Sequence, residues 1–330
     1  MSPGIDGKDS FGRVHRSLRV SVTDRCNLRC TYCMPAGGVL CAPRDELLGF
    51  EEILLAVQVA CSLGINRIRI TGGEPLLRPD LAELVGLLRR EAPVEDLALT
   101  TNGVLLDRHA EDLAAAGLDR VNVSLDSLRP DRFEAVTRFG VLEQAWRGVE
   151  AAAEAGLSPL RINTLLLAGV NDDEVEGWLE LTRRHEMDVR FMELMPIGEG
   201  AEQTEAGQFV NLTELRERLV EEAGLSPVEK VRGNGPARYY RLPDGKGRVG
   251  FITPLSNPYC DTCSRMRLTS TGALRACLSF DDHVSVREAL RAGDEEKVRE
   301  GFVQALREKP AGHHWRAGGV TEAGMSALGG

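Results

Sequence analysis

Lysine is nearly missing from this chain of 330 residues: five lysines stand against 35 arginines. Acidic residues outnumber basic ones, and the formal net charge is −10. No nucleic-acid partner is expected, because general nucleic-acid binding needs a basic face. Aromatic residues are scarce, at 5%. Long apolar runs are also absent. The longest, residues 53–60 and 164–170, fall far short of the ~18 that a membrane helix needs, so no membrane association is expected. Residues 1–16 are polar and Gly-rich, with no apolar signal-peptide region, which makes the cytoplasm the expected location. What remains, 42% hydrophobic and 27% charged, is globular in composition and excludes disorder, collagen and coiled coil for the bulk of the chain.

Eight cysteines are present, and six of them fall into two groups. In a reducing compartment, metal binding or catalysis is the better reading than disulfides. Cys26, Cys30 and Cys33 follow the spacing C-x3-C-x2-C. Three thiolates in one tight loop leave the fourth ligand of a zinc site to be found elsewhere. In a cubane iron–sulfur cluster, four cysteines saturate the irons and three leave one iron open, as binding of a substrate requires. Cys260, Cys263 and Cys277 form the second group, C-x2-C-x13-C, whose spacing alone also fits a small zinc knuckle. Cys61 ends an apolar helical stretch and reads as a small hydrophobe; Cys41 reads as a spectator thiol in a loop.

From residue 17 to 196 the chain alternates short Val/Ile/Leu-rich runs with amphipathic stretches. Strands are expected at 18–22, 67–71, 96–101, 120–125, 160–167 and 189–194, and helices at 50–63, 79–91, 105–116, 141–155 and 172–185. Pro79 suits a first helical turn. This α/β alternation fits an incomplete (β/α)6 TIM-like barrel, and a doubly wound sheet gives the same period. In a barrel, reactive groups belong at the C-terminal ends of strands. Cys26, Gly72-Gly73-Glu74-Pro75, Thr100-Thr101-Asn102-Gly103 and Ser124-Leu125-Asp126 all fall there. Residues 197–308 read as a C-terminal α+β cap. It opens with a polar linker at 197–208 and continues with a helix at 211–224, strands at 239–242 and 249–252, and a helix at 294–307. The tail, 309–330, ends in Gly329-Gly330 and is expected to be partly mobile. His313-His314 is expected to serve in tail docking or at the surface.

The loop Cys26-Asn-Leu-Arg-Cys30-Thr-Tyr-Cys33, after a strand and Asp24-Arg25, resembles the cluster loop of radical S-adenosylmethionine (SAM) enzymes. Gly72-Gly73-Glu74-Pro75 matches the second motif of that superfamily. Cys260-Asp-Thr-Cys263-Ser-Arg265-Met-Arg267-Leu-Thr, with Cys277 beyond, resembles the C-terminal motif of the GTP 3′,8-cyclase family. The resemblance extends from residue 18 to the final Gly-Gly.

It implies two [4Fe–4S] clusters, the first chelating SAM and the second facing the guanine base of GTP. The adenosyl radical then takes hydrogen from ribose C3′, and the carbon radical attacks guanine C8. The product is 3′,8-cyclo-7,8-dihydro-GTP, the first intermediate of molybdenum-cofactor biosynthesis. An electron donor and a downstream partner, cyclic pyranopterin monophosphate synthase, are implied too. Family members are commonly homodimers.

The resemblance assigns Cys26, Cys30 and Cys33 to the SAM cluster, and Cys260, Cys263 and Cys277 to the substrate cluster. It places Tyr32, Gly73, Ser124 and Met195 at SAM. Arg19, Arg69, Thr100, Arg161, Arg265, Met266 and Arg267 go to GTP. Arg161 departs from the family's usual Lys, keeping the charge but not its point-like geometry. Arg190 is a further phosphate candidate. Gly329 and Gly330 are assigned to a tail that enters the active site, where the lack of a Cβ lets the backbone pass a crowded cavity.

Overall fold

The computed structural model describes residues 7–229 and 235–329. Six strands carry the βα alternation: β1 (Ser17–Ser21), β2 (Arg67–Thr71), β3 (Asp96–Thr101), β4 (Arg120–Ser124), β5 (Arg161–Leu165) and β6 (Asp188–Met192). Each lies within two residues of its expected bounds, and all neighbours pair in parallel. Six more follow: β7 (Ser226–Pro227), β8 (Arg238–Arg241), β9 (Arg248–Ile252), β10 (Arg265–Leu268), β11 (Ala273–Arg275) and β12 (Val284–Ser285). β9 joins β6 and β10 joins β1, both in parallel. Antiparallel ribbons then finish both edges, giving the order β12-β11-β10-β1-β2-β3-β4-β5-β6-β9-β8-β7. The C-terminal segment is therefore continuous with the sheet rather than set apart from it. Strands β10 and β11 lie in a turn-rich stretch between Cys263 and Cys277, and β12 is only two residues long, which hides all three from sequence patterning.

The sheet is curved. Flat, with neighbours about 4.8 Å apart, β2 and β8 would be separated by about 29 Å. Instead Arg69 of β2 and Tyr239 of β8 line one cavity. Side chains alternate across the strands. Leu18, Val20, Ile68, Ile70, Val121, Val123, Ile162 and Val189 turn to the helical layer and are fully buried there. The residues between them, among them Arg19, Arg69, Arg120, Arg161 and Arg190, take the other face.

The helices differ from expectation in a few places. Helix Leu81–Glu91 starts two residues late, because Asp80 at φ 58° stands in the left-handed region and Pro79 precedes it. An additional helix, Pro130–Thr137, opens on proline. The polar linker contains helix Glu199–Glu205. The tail is packed, with Lys309, Trp315 and Leu328 buried and a short helix at Met325–Leu328. No helix of the described residues is long and apolar enough to cross a membrane.

Candidate active site

Arginines line the hollow of the curved sheet. Arg69, Arg120, Arg161 and Arg190, with Tyr239 and Tyr240, surround a cavity of about 360 Å³. Two of these cations are neutralised: Arg120 grips Asp96 at 3.0 and 2.5 Å, and Arg161 meets Asp188 at 3.3 Å. Asp188 also holds Arg248 at 2.6 and 2.8 Å. Arg190 donates to Asn122 Oδ1 at 2.8 Å and leaves its buried Nε without a partner. Burial and the charges of Arg19, Arg120, Arg190 and Arg161 hold the Arg69 guanidinium well below its ordinary pKa. Burial, Arg267 and Arg265 do the same to Arg19. Neither carries a hydrogen bond or ion pair to an acid among the described residues. Like charges gathered in a poorly solvated hollow are costly unless an anion joins them.

The first cysteine group lies beyond the C-terminal end of β1. The glycines of Gly72-Gly73-Glu74-Pro75 seat its loop. A Cβ on Gly73 would stand 2.3 Å from the Arg25 carbonyl oxygen, and one on Gly72, at φ 149°, 2.3 Å from that of Thr23. Gly73 N donates to Thr23 O at 2.9 Å, and Glu74 N to Arg25 O at 2.7 Å. The buried Glu74 carboxylate accepts from Thr101 Oγ1 and Asn102 N, both at 2.7 Å, and from Leu76 N at 3.1 Å. Burial nevertheless pushes it up to about 7. Tyr32 donates its hydroxyl to Asp126 at 2.6 Å, and burial raises Asp126 to about 6. Asn102 reaches Cys26 Sγ at 3.9 Å and Asn27 Oδ1 at 2.8 Å. Burial and the Glu74 charge push the Cys26 thiol up to about 11, and burial with the charges of Cys26 and Asp126 pushes Cys33 up to about 12.

The second group lies at the opposite end. Ser17, which starts β1, pairs with Arg265, which starts β10, and Cys263 comes just before it. β11 runs antiparallel to β10 and delivers Cys277 to the same rim. About 13 Å of strand separates the two rims. Burial raises the Cys263 thiol, but Arg265 and Lys309 outweigh this and bring it to about 6. The Arg265 guanidinium lies 3.7 Å from Cys263 Sγ and 4.9 Å from the Tyr259 ring centre. Arg13 secures the loop from outside, donating to the carbonyls of Cys260 (3.0 Å), Ala311 (2.7 Å) and Pro310 (2.6 Å).

The tail joins the two regions. Ser326 N–H donates to Cys33. Arg267 donates to Leu328 O at 3.2 Å and to Gly329 O. Burial and Arg265 hold Arg267 down to about 9.

The residues picked from sequence mostly gather on this inner face. Thr100 Oγ1 accepts from Asn122 at 3.3 Å. Ser124 ends β4 on the same face. Met195 packs by Ile197, Trp315 and Leu328. Met266 is a correction: strand alternation sends its side chain opposite to Arg265 and Arg267, into the apolar core at 1% exposure, leaving only its backbone for a ligand. Gly330 lies outside the described residues. His313 binds the Pro254 carbonyl at 2.8 Å and His314 packs on Phe280, as docking residues do. Glu74, Asp126, Asn102 and Arg13 were not singled out as site residues; only their places in βα loops and near the cysteines signal them.

The donor chemistry of both groups fits thiolate ligation. Each of the six sulfurs has an N–H or O–H group in place: Leu28 N on Cys26, the Tyr32 hydroxyl on Cys30, Ser326 N on Cys33, His313 N on Cys260, Arg265 on Cys263 and Ser279 Oγ beside Cys277. Among the described residues no three His, Cys, Asp or Glu converge as a set for a single metal ion. Thiolates that each take a different iron of a cubane need no such convergence.

Residues 20–182 match the Radical SAM superfamily, and residues 187–315 match Molybdenum Cofactor Synthesis C. The GTP 3′,8-cyclase of Petrotoga mobilis is 46% identical over 307 residues, 93% of this chain and 94% of that protein. The enzyme of that name from Moorella thermoacetica is 44% identical over 324 residues, 98% of this chain and 100% of its own. Among solved structures, Streptococcus suis SuiB bound to precursor peptide SuiA shares the fold, with TM-score 0.60 at 14% identity over 95% of this chain and 76% of that one. With both domains matched in order and the relatives aligned almost end to end, the chain belongs to the GTP 3′,8-cyclase family of radical SAM proteins.

Proposed function

We propose that this chain converts GTP to (8S)-3′,8-cyclo-7,8-dihydro-GTP, the first step of molybdenum-cofactor biosynthesis. The observation that carries this reading is the placement of two three-cysteine groups at opposite rims of one arginine-lined hollow. In this reading residues 17–196 form an incomplete (β/α)6 barrel, residues 197–308 a C-terminal cap, and residues 309–330 the tail. Each cysteine group holds one [4Fe–4S] cluster. The cluster at Cys26, Cys30 and Cys33, reduced by an external electron donor, supplies with SAM the one-electron chemistry that opens the reaction.

The protein's own residues bind and orient. Gly73, Ser124, Tyr32 and Met195 frame SAM at the upper rim. Arg19, Arg69, Arg161, Arg265 and Arg267, with Thr100, hold GTP below it. A triphosphate supplies the anion that Arg19 and Arg69 lack among the described residues, and guanidinium forks match phosphate oxygens. Gly329 O orients Arg267. The product passes to cyclic pyranopterin monophosphate synthase.

Anaerobic reconstitution with iron and sulfide tests the reading. About eight irons per chain are expected for two cubanes. With GTP, SAM and a reductant, 5′-deoxyadenosine and the cyclised nucleotide form together. Zinc in place of iron, or GTP recovered unchanged, contradicts it.

A further inference from the structure

Lys309 is 3% exposed, a rare position for an ammonium. Its Nζ donates to Arg265 O at 2.9 Å and to Ala276 O. These two carbonyls belong to different arms of the second cysteine group, one just after Cys263 and the other just before Cys277. Of the other cations here, Arg13 meets Asp9 at 2.5 Å, and Arg265, stacked on Tyr259, donates to Cys263 Sγ at 3.7 Å and so serves one arm of the group only. Lys309 forms no ion pair to a carboxylate among the described residues. Its favourable electrostatic neighbours are Cys263 and Cys277, while Arg265 and Arg13 oppose it. Burying an ammonium without a counter-charge is costly, so its presence requires negative charge at that place. A cubane held by three thiolates carries net negative charge, and more on reduction.

We infer that Lys309 is the positioning and charge-balancing residue of the second cysteine centre, its ammonium joining the two arms through Arg265 O and Ala276 O and offsetting the charge of a three-thiolate iron–sulfur group. This rests on the proposed second cluster. Net charge and hydrogen bonding set the potential of such a group. Lys309 therefore makes the second cluster easier to reduce.

The test uses the full chain with Cys26→Ser, Cys30→Ser and Cys33→Ser, so that any iron retained belongs to the second centre. Iron content and a potentiometric titration followed by electron paramagnetic resonance are the readouts. Lys309→Gln keeps a donor for the carbonyls and removes the charge. It is expected to shift the oxidised-to-reduced ratio at fixed potential about tenfold toward oxidised, equivalent to about 59 mV for one electron. Lys309→Arg restores the charge and titrates near the parent. Iron retained in Lys309→Gln with the parent's potential overturns the inference alone. Should Lys309→Gln lose its iron, Lys309→Arg decides: iron and potential near the parent support the inference, and equal loss overturns it. A parent without iron overturns the second cluster and this inference with it.

Discussion

Arg267 of β10 donates a hydrogen bond to the Gly329 carbonyl, so the tail is tied to a residue of the sheet's inner face. The tie depends on glycine. Gly329 sits at φ 70°, and a Cβ there would stand 2.3 Å from Ser21 Oγ and 2.6 Å from Thr71 Cγ2. The left-handed region costs an L-residue about 1–2 kcal/mol even without the clash. Gly329→Ala is expected to lower GTP turnover roughly tenfold or more while iron content stays that of the wild type. Turnover measured on preparations matched for iron checks this; wild-type turnover denies the tail its role.

Arg69 stands among like charges in the cavity, and its removal has opposite effects on binding and folding. Arg69→Met is expected to weaken GTP binding by roughly 10- to 150-fold, the loss of about 1.5–3 kcal/mol of charge-assisted hydrogen bonding. The ligand-free variant is expected to melt higher than the wild type, because a desolvated cation is gone. Calorimetry and thermal melts with and without GTP give both numbers. A lower melting point with unchanged GTP affinity contradicts the anion-site reading.

The N-terminal segment that anchors the second cysteine group is expected to be sensitive to acid. His15 is fully buried against Asp9 at 3.0 Å, and burial holds its pKa down to about 4 from an ordinary 6.5. The folded protein binds the proton less readily than the unfolded chain. Stability is thus fully present above pH 6.5 and is lost as pH falls toward 4, by about 3 kcal/mol. Asp9, lowered to about 2, loses its own contribution only below its ordinary 3.8. Urea unfolding across pH 7 to 4 is expected to show a slope that His15→Gln reduces. Equal slopes in both proteins remove His15 as the source.

The proposed function divides the work between the two cysteine groups. Cys33→Ala is expected to abolish reductive SAM cleavage, and Cys263→Ala to spare much of it while blocking cyclisation. 5′-Deoxyadenosine and cyclised nucleotide are quantified in parallel on folded proteins. Equal loss of SAM cleavage in both variants contradicts the assignment.

Much of this was legible in the sequence, for physical reasons. The strands β1 to β6 are buried on the helical side and so read as short runs of Val, Ile and Leu. Cysteine spacing is read directly, because three ligands in one loop need no tertiary knowledge. What stayed hidden depends on tertiary contact. Leu18 pairs with Met266, and nothing local to Met266 reveals that partner or that its side chain is turned into the core. The same holds for Lys309, whose hydrogen bonds reach 44 and 33 residues back. Helix Glu199–Glu205 escaped notice because its polar sequence buries only Gly200. The packed tail did too, since Gly and Ala carry little pattern of their own.

The most direct measurement follows one hydrogen atom. Wild-type protein, reconstituted anaerobically, is given SAM, a reductant and GTP deuterated at ribose C3′. If the two cysteine centres place SAM and GTP in one hollow, deuterium appears in 5′-deoxyadenosine in step with the cyclised product. Unlabelled 5′-deoxyadenosine, or its formation with GTP left intact, would show that the hollow does not bring these two molecules together.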